Sequence, residues 1–72
     1  MPELELLAVV ALLEDINIRN LVRGQVGTIA ERLASGVYEV EFSDDNGRAY
    51  ASMPIRASQL LQLRHEPSHL AA

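Results

Sequence analysis

The segment Leu21-Val22-Arg23-Gly24-Gln25-Val26-Gly27-Thr28-Ile29 constrains the fold more than any other stretch of this chain. Gly24 and Gly27 stand directly before a β-branched run. Glycine supplies backbone angles that other residues avoid, while Val26, Thr28 and Ile29 suit a pleated surface. A loop passing into a strand of a small barrel is the reading this chemistry predicts. It points to an architecture and names no reaction.

At 72 residues the chain is expected to form one domain, a barrel over 1–64 followed by a flexible tail over 65–72. A chain this short buries only about 60% of the surface its unfolded form exposes, so the core is thin. Without cysteine, disulfides, thiolate metal sites and a thiol nucleophile are all excluded. Stability must then come from a compact all-β core or from a partner that covers leftover apolar surface. No apolar run approaches the roughly 18 residues needed to cross a bilayer. Met1-Pro2-Glu3 places acid where a secretory signal carries positive charge, and a cytoplasmic protein is the expectation. The net charge of −4 argues against general affinity for phosphate backbones. Every basic residue is arginine, for which codon bias in a GC-rich genome is the bland explanation.

Leu4 to Leu13 is a nearly continuous apolar run, broken only by Glu5. Its Leu, Glu and Ala content favours helix, whereas Val9-Val10 and its short length favour strand. A strand from about Leu7 to Leu13 is predicted. Ile16 to Gln25 reads as a loop anchored by Ile18 and Leu21, with Asn17 and Asn20 supplying turn chemistry. A second strand follows from Val26 to about Leu33, and Ala34-Ser35-Gly36 turns the chain into a third over Val37 to Phe42. There Tyr38, Val40 and Phe42 alternate with Glu39 and Glu41, the clearest period-two pattern in the chain.

Asp44-Asp45-Asn46-Gly47 is a hairpin turn, because Asn46-Gly47 accepts the positive φ angles that tight turns require. A fourth strand runs from Arg48 to about Met53. Even-length loops put Ala49, Ala51 and Met53 on the face of Phe42 and leave Tyr50 with the acidic face; a three-residue loop reverses this. The even loops are favoured. Pro54 cannot donate to a ladder and marks a strand end or an edge. Arg56-Ala57-Ser58-Gln59 suits one turn of 3₁₀ helix, and Leu60 to Leu63 a short fifth strand.

These elements together describe an all-β fold, a five-stranded SH3-like barrel with a single 3₁₀ turn before the last strand. Val9-Val10-Ala11-Leu12, Arg23-Gly24-Gln25-Val26-Gly27-Thr28, Tyr38-Glu39-Val40-Glu41-Phe42 and Ala57-Ser58-Gln59-Leu60 resemble domain-of-unknown-function family 4926. The similarity spans roughly Leu6 to Leu63. The resemblance implies a small bacterial protein with an SH3-like barrel, and carries no activity, cofactor or catalytic residue to transfer.

Signals of chemistry are few. His65-Glu66-Pro67-Ser68-His69 satisfies the H-E-x-x-H pattern of zinc metalloproteases, which works only on a helix that aims both histidines at the metal. Pro67 inside the motif opposes that helix, and a solvated tail is the better reading. Glu39, Glu41, Asp44 and Asp45 lack the spacing and terminal glutamate of a calcium loop, which gathers about six to eight oxygens. Glu39 and Glu41 instead read as charge that keeps a strand soluble. Gly24-x-x-Gly27 precedes a strand and lacks the Lys-Ser/Thr ending of a phosphate loop. No catalytic residue, cofactor or metal site is expected, and the chain does not read as an enzyme.

The expected function is therefore that of a protein-interaction module, docking on an unknown protein partner or on itself. Leu4, Leu6, Leu7, Leu61 and Leu70 are the leucines such a small barrel leaves for an interface. One alternative is a small antitoxin-like or immunity-like partner of a neighbouring gene product. Another is an RNA- or ribosome-associated module, since Arg23 to Gly27 also resembles, more loosely, the motif of KOW-type barrels. Arg19, Arg23 and Arg48 would then carry binding. The acidic balance and an aromatic content of 4% argue against nucleic acid, because bases need stacking platforms.

Overall fold

The computed structural model describes residues 3–64. Its elements run β1 (Val9–Leu12), a 3₁₀ turn (Asn17–Arg19), β2 (Val26–Ala34), β3 (Val37–Ser43), β4 (Ala49–Arg56), a second 3₁₀ turn (Ala57–Gln59) and β5 (Leu60–Gln62). The five strands form one antiparallel sheet in the order β4-β3-β2-β1-β5. The all-β expectation is thus met. Closure into a barrel is not: β4 and β5 are the sheet's two edges, joined through the second 3₁₀ turn and not by a ladder. The predicted single 3₁₀ turn is one of two, because the sequence loop from Ile16 winds at Asn17–Arg19 and ends on Asn20 in the left-handed region.

The long apolar run resolves as strand, but a shorter one than expected. Leu6 and Leu7 form a turn closed by the Ala8 N–H donating to the Glu5 carbonyl at 3.1 Å. Leu7 has φ +68° and donates its N–H to the Ile29 carbonyl, while the Ile29 N–H reaches Ala8. One position of β2 therefore faces two residues of the incoming chain, a bulge that delays regular pairing until Val9.

Alternation sorts the side chains into an inner and an outer set. Val10, Leu12, Ile29, Tyr38, Val40, Phe42, Ile55 and Leu60 pack with Leu21 of the first loop into the core, and Leu4, Ala8, Ile16, Ala51, Met53 and Ala57 lie against it. Each such buried aliphatic or aromatic side chain contributes on the order of 1.5–3 kcal/mol over its exposed state. Leu21 is the loop anchor that was expected. Ile18 is not, being 89% exposed; Ile16, bridged to Leu21 across the loop, takes that place. Leu4 covers the open side of the core, its N–H donating to the buried Tyr38 hydroxyl at 3.1 Å, and Glu3 beside it is paired with Arg32.

The β3–β4 hairpin departs from the even-loop expectation. The Asp44 N–H donates to the Arg48 carbonyl at 2.8 Å, so Asp45, Asn46 and Gly47 form the tip. Only Gly47 (φ +79°) has a positive φ there, so Asn46-Gly47 is not a turn with both residues left-handed. Such a three-residue tip would reverse the faces, but Ser43 pairs with Ala49 and Phe42 with Ala51, leaving Tyr50 as an extra residue. This bulge restores the core face: Ala51 and Met53 lie opposite Phe42 and Val40. Two side chains land differently from expectation. Ala49 is exposed beside Ser43, and Tyr50 stays half exposed with its ring centroid 6.4 Å from that of Phe42. Pro54 lies within β4, where an edge position spares it the missing donor.

Candidate functional site

The outer side of the sheet carries the feature that the fold alone does not require. In β1, Val9 and Ala11 alternate with the buried Val10 and Leu12, and so face outward. Ala11 lies directly between Val26 of β2 and Leu61 of β5. Val9 lies beside Thr28, and its carbonyl accepts from the Leu63 N–H at 2.9 Å. Leu13 continues the line beyond Leu12, its N–H donating to the Gln59 carbonyl. Val26, Leu61 and Leu13 are 48%, 52% and 44% exposed, and none of these outward residues packs against the core. An apolar outer face thus spans β5, β1 and the start of β2.

The same outer side changes character across β2. Thr28 pairs with Glu41, which pairs with Ser52. One row further, Glu31 lies directly opposite Glu39, whose carboxylate accepts from the Ser52 hydroxyl at 2.6 Å. Like charges directly opposite one another destabilise a ladder. Among the described residues the one ion pair is Arg32 with Glu3, so neither Glu31, Glu39 nor Glu41 is neutralised by an arginine. Apolar and anionic halves therefore adjoin on one surface.

The residues singled out from sequence scatter around this face. Leu4 is held against the core and is not a free contact residue. Leu6 and Leu7 are 61% and 77% exposed in the turn that leads into β1. Leu70 and the His65 to His69 motif lie outside the described residues. Arg19, Arg23 and Arg48 are exposed on loops. The hydrogen bond from Gln25 to the Tyr50 hydroxyl brings the loop carrying Arg23 beside the hairpin carrying Arg48. Acid is interleaved there: the Asp15 carboxylate accepts the Arg23 backbone N–H, and Asp44 accepts that of Arg48.

The glycines divide by cause. Gly24 has φ +91° with open space around it, as a turn glycine should. Gly27 does not sit at positive φ. A Cβ there would stand 2.7 Å from Val40 Cγ1 and 3.0 Å from both the Glu41 carbonyl oxygen and Phe42 Cδ1, so close approach of β3 demands glycine. Asp44, placed in the turn by the sequence without a role of its own, organises the hairpin by accepting the N–H groups of Asn46 and Arg48 at 2.9 and 3.0 Å. An aspartate two residues before Asn-Gly is the signal that could have revealed it.

Tyr38 and Phe42 are buried, which leaves Tyr50 as the exposed ring. The aromatic groove that binds proline-rich peptides needs several exposed rings. Among the described residues, no three His, Cys, Asp or Glu side chains converge as a metal ion would require, and no buried side chain is polar apart from the hydroxyl of Tyr38. No described helix is long and apolar enough to cross a membrane.

Fold and surface together define an all-β domain with an open five-stranded antiparallel sheet and a two-toned outer face. Residues 6–62 match the family described as "Domain of unknown function (DUF4926)", and the chain belongs to that family. Neither a curated protein nor a solved structure matches it.

Proposed function

We propose that this chain is a non-enzymatic protein-interaction module of SH3-like type, docking through the outer face of β5, β1 and β2. The SH3-like reading is supported by β1 pairing with both β2 and β5, and by the 3₁₀ turn that delivers the chain to β5. The observation that carries the function is the row Leu61-Ala11-Val26, apolar throughout and half exposed at Leu61 and Val26, on a face turned away from the core. In a sheet with one face buried, the opposite face is ordinarily solvated and polar. A row of β-branched and leucine side chains there marks a surface built to be covered. The non-enzymatic reading is supported by a core of apolar and aromatic side chains in which, among the described residues, the buried polar group is the Tyr38 hydroxyl, already engaged by the Leu4 N–H.

The test is recovery of the tagged protein from its native host beside the Leu61→Ser and Val26→Thr variants. Stoichiometric partner protein, or a stable dimer by sedimentation, is expected with the parent chain and is lost in both variants while their thermal unfolding is retained. A parent chain that is strictly monomeric and comes away bare would overturn the reading.

A further inference from the structure

We propose that the occupant of this face is a basic amphipathic segment of another protein, an apolar stripe flanked by lysine or arginine, and not a second copy of the chain. The inference rests on the docking reading above and adds the chemistry of the partner. Its basis is the boundary that runs along β2. On one side lie Leu61, Ala11 and Val26; on the other lie Glu41 and the facing pair Glu31 and Glu39. Two glutamates directly opposite each other, without an arginine between them, leave a repulsion that a cation on the partner relieves.

A second copy is the poorer occupant on charge. Each chain carries a net −4, so self-docking brings like charge together, whereas a cationic partner is steered toward the face. The geometry also sets how the partner lies. Neighbouring strands in a sheet are about 4.8 Å apart, so the apolar strip over β5, β1 and β2 is about 10 Å across. That is the width of one helix with its side chains. A helix lying along β1 would rest its apolar stripe on Val9, Ala11 and Leu13, with basic residues on one flank reaching Glu41 and Glu39.

The experiment uses the full chain, isotopically labelled, titrated with an 18-residue amphipathic peptide of leucine and lysine, and separately with its leucine and glutamate counterpart. Amide shifts and affinity are followed by NMR. The Leu/Lys peptide is expected to shift residues of β1, β5 and the start of β2 together with Glu39 and Glu41, and the Leu/Glu peptide is expected not to bind. Leu61→Ser should weaken binding about tenfold, as loss of a central apolar contact does. Because Leu61 lies in a short edge strand, Val26→Thr serves as the second variant. The double variant Glu39→Gln, Glu41→Gln keeps the Ser52 acceptor and should weaken binding about five- to tenfold at low salt, whereas Glu14→Gln with Asp45→Asn, off the face, should not.

Equal binding of both peptides at the face would overturn the basic partner and leave the docking surface standing. So would failure of both peptides combined with a dimer that Leu61→Ser dissociates. Binding of the Leu/Lys peptide at any other surface, indifferent to Leu61→Ser, would overturn the inference outright. Failure of both peptides with a monomeric chain would do the same, and recovery from the host then decides the docking reading separately.

Discussion

Replacing Gly27 by alanine tests the central packing relation of this fold. The added methyl would stand 2.7 Å from Val40 Cγ1 and 3.0 Å from Phe42 Cδ1, both on side chains with no exposed surface. It would also stand 3.0 Å from the Glu41 carbonyl oxygen, a backbone atom of the neighbouring strand. Val40 cannot rotate away cheaply, since a β-branched side chain in a strand has few rotamers and this one is fully enclosed. Moving Glu41 means moving β3. Overpacking of this kind costs about 1–3 kcal/mol. Against it stands the smaller entropy of an unfolded chain with alanine in place of glycine, about 0.4–1 kcal/mol in favour of the variant. A net loss of about 1–2 kcal/mol follows, which for a domain of this size lowers Tm by about 4–16 °C. Differential scanning calorimetry and urea unfolding read it directly. Val40→Ala removes the closest atom, so the double variant should lose less than the two single variants summed, with coupling of about 0.5–1 kcal/mol. A Gly27→Ala protein as stable as the parent, or simple additivity with Val40→Ala, would refute the claim that β3 presses against the β2 backbone at this point.

Leu7→Asn should leave stability unchanged or raise it by up to about 1 kcal/mol, because asparagine tolerates the φ of +68° that leucine adopts at a cost; a loss beyond about 0.5 kcal/mol in urea unfolding would contradict this. Asp44→Ala removes the acceptor for two backbone N–H groups and should cost about 1 kcal/mol, with faster amide exchange at Asn46 and Arg48. Tyr38→Phe should cost about 0.5–1.5 kcal/mol and abolish exchange protection of the Leu4 amide, while the β3–β4 ladder stays protected. Arg32→Ala should change stability by less than about 1 kcal/mol, since the pair with Glu3 is half exposed, and the loss should vanish in high salt.

What could be foreseen from sequence follows the reach of each local rule. The period-two pattern over Tyr38 to Phe42 marks β3 correctly because its two faces meet different solvents, and Pro54 correctly signals an edge. Strand ends and faces were legible only where no bulge intervenes. Bulges at Leu7, Ala30, Leu33 and Tyr50 each insert a residue that no periodicity announces, because the choice between bulge and regular ladder is settled by packing across strands. Hence alternation alone puts Tyr50 on the acidic side, whereas its ring lies beside Phe42. Spacing alone marks Gly27 as a conformational glycine, yet its cause lies in β3, thirteen and more residues away. The loop anchor was misplaced by two residues, from Ile16 to Ile18, for the same reason: both are isoleucines in polar surroundings, and only the Leu21 bridge separates them. The proposed docking face was legible in part. An unbroken apolar run through Val9-Val10-Ala11-Leu12-Leu13 in a strand means both faces are apolar, but its alignment with Val26 and Leu61 depends on register.

That contrast between β1 and β3 carries the functional argument further than any single residue. Both strands lie in the same sheet, and both bury alternate side chains in the same core. Their inner faces obey one requirement, to fill volume without polar atoms, and both satisfy it. Their outer faces obey no common requirement from folding, since either glutamate or valine is compatible with a strand whose other face is buried. The outward side of β3 is Val37, Glu39, Glu41 and Ser43, mostly the composition expected of a surface that stays wet; that of β1 is Val9 and Ala11, joined on its neighbours by Val26 and Leu61. Folding alone leaves part of this area uncovered, because Val26 and Leu61 remain about half in water and recover only part of their transfer free energy. The full gain on the apolar side, like the relief of Glu31 against Glu39 on the anionic side, becomes available only when a second surface closes over the sheet. Both features of the isolated domain, exposed apolar area on one half and unpaired charge on the other, would be covered by the one kind of partner proposed above.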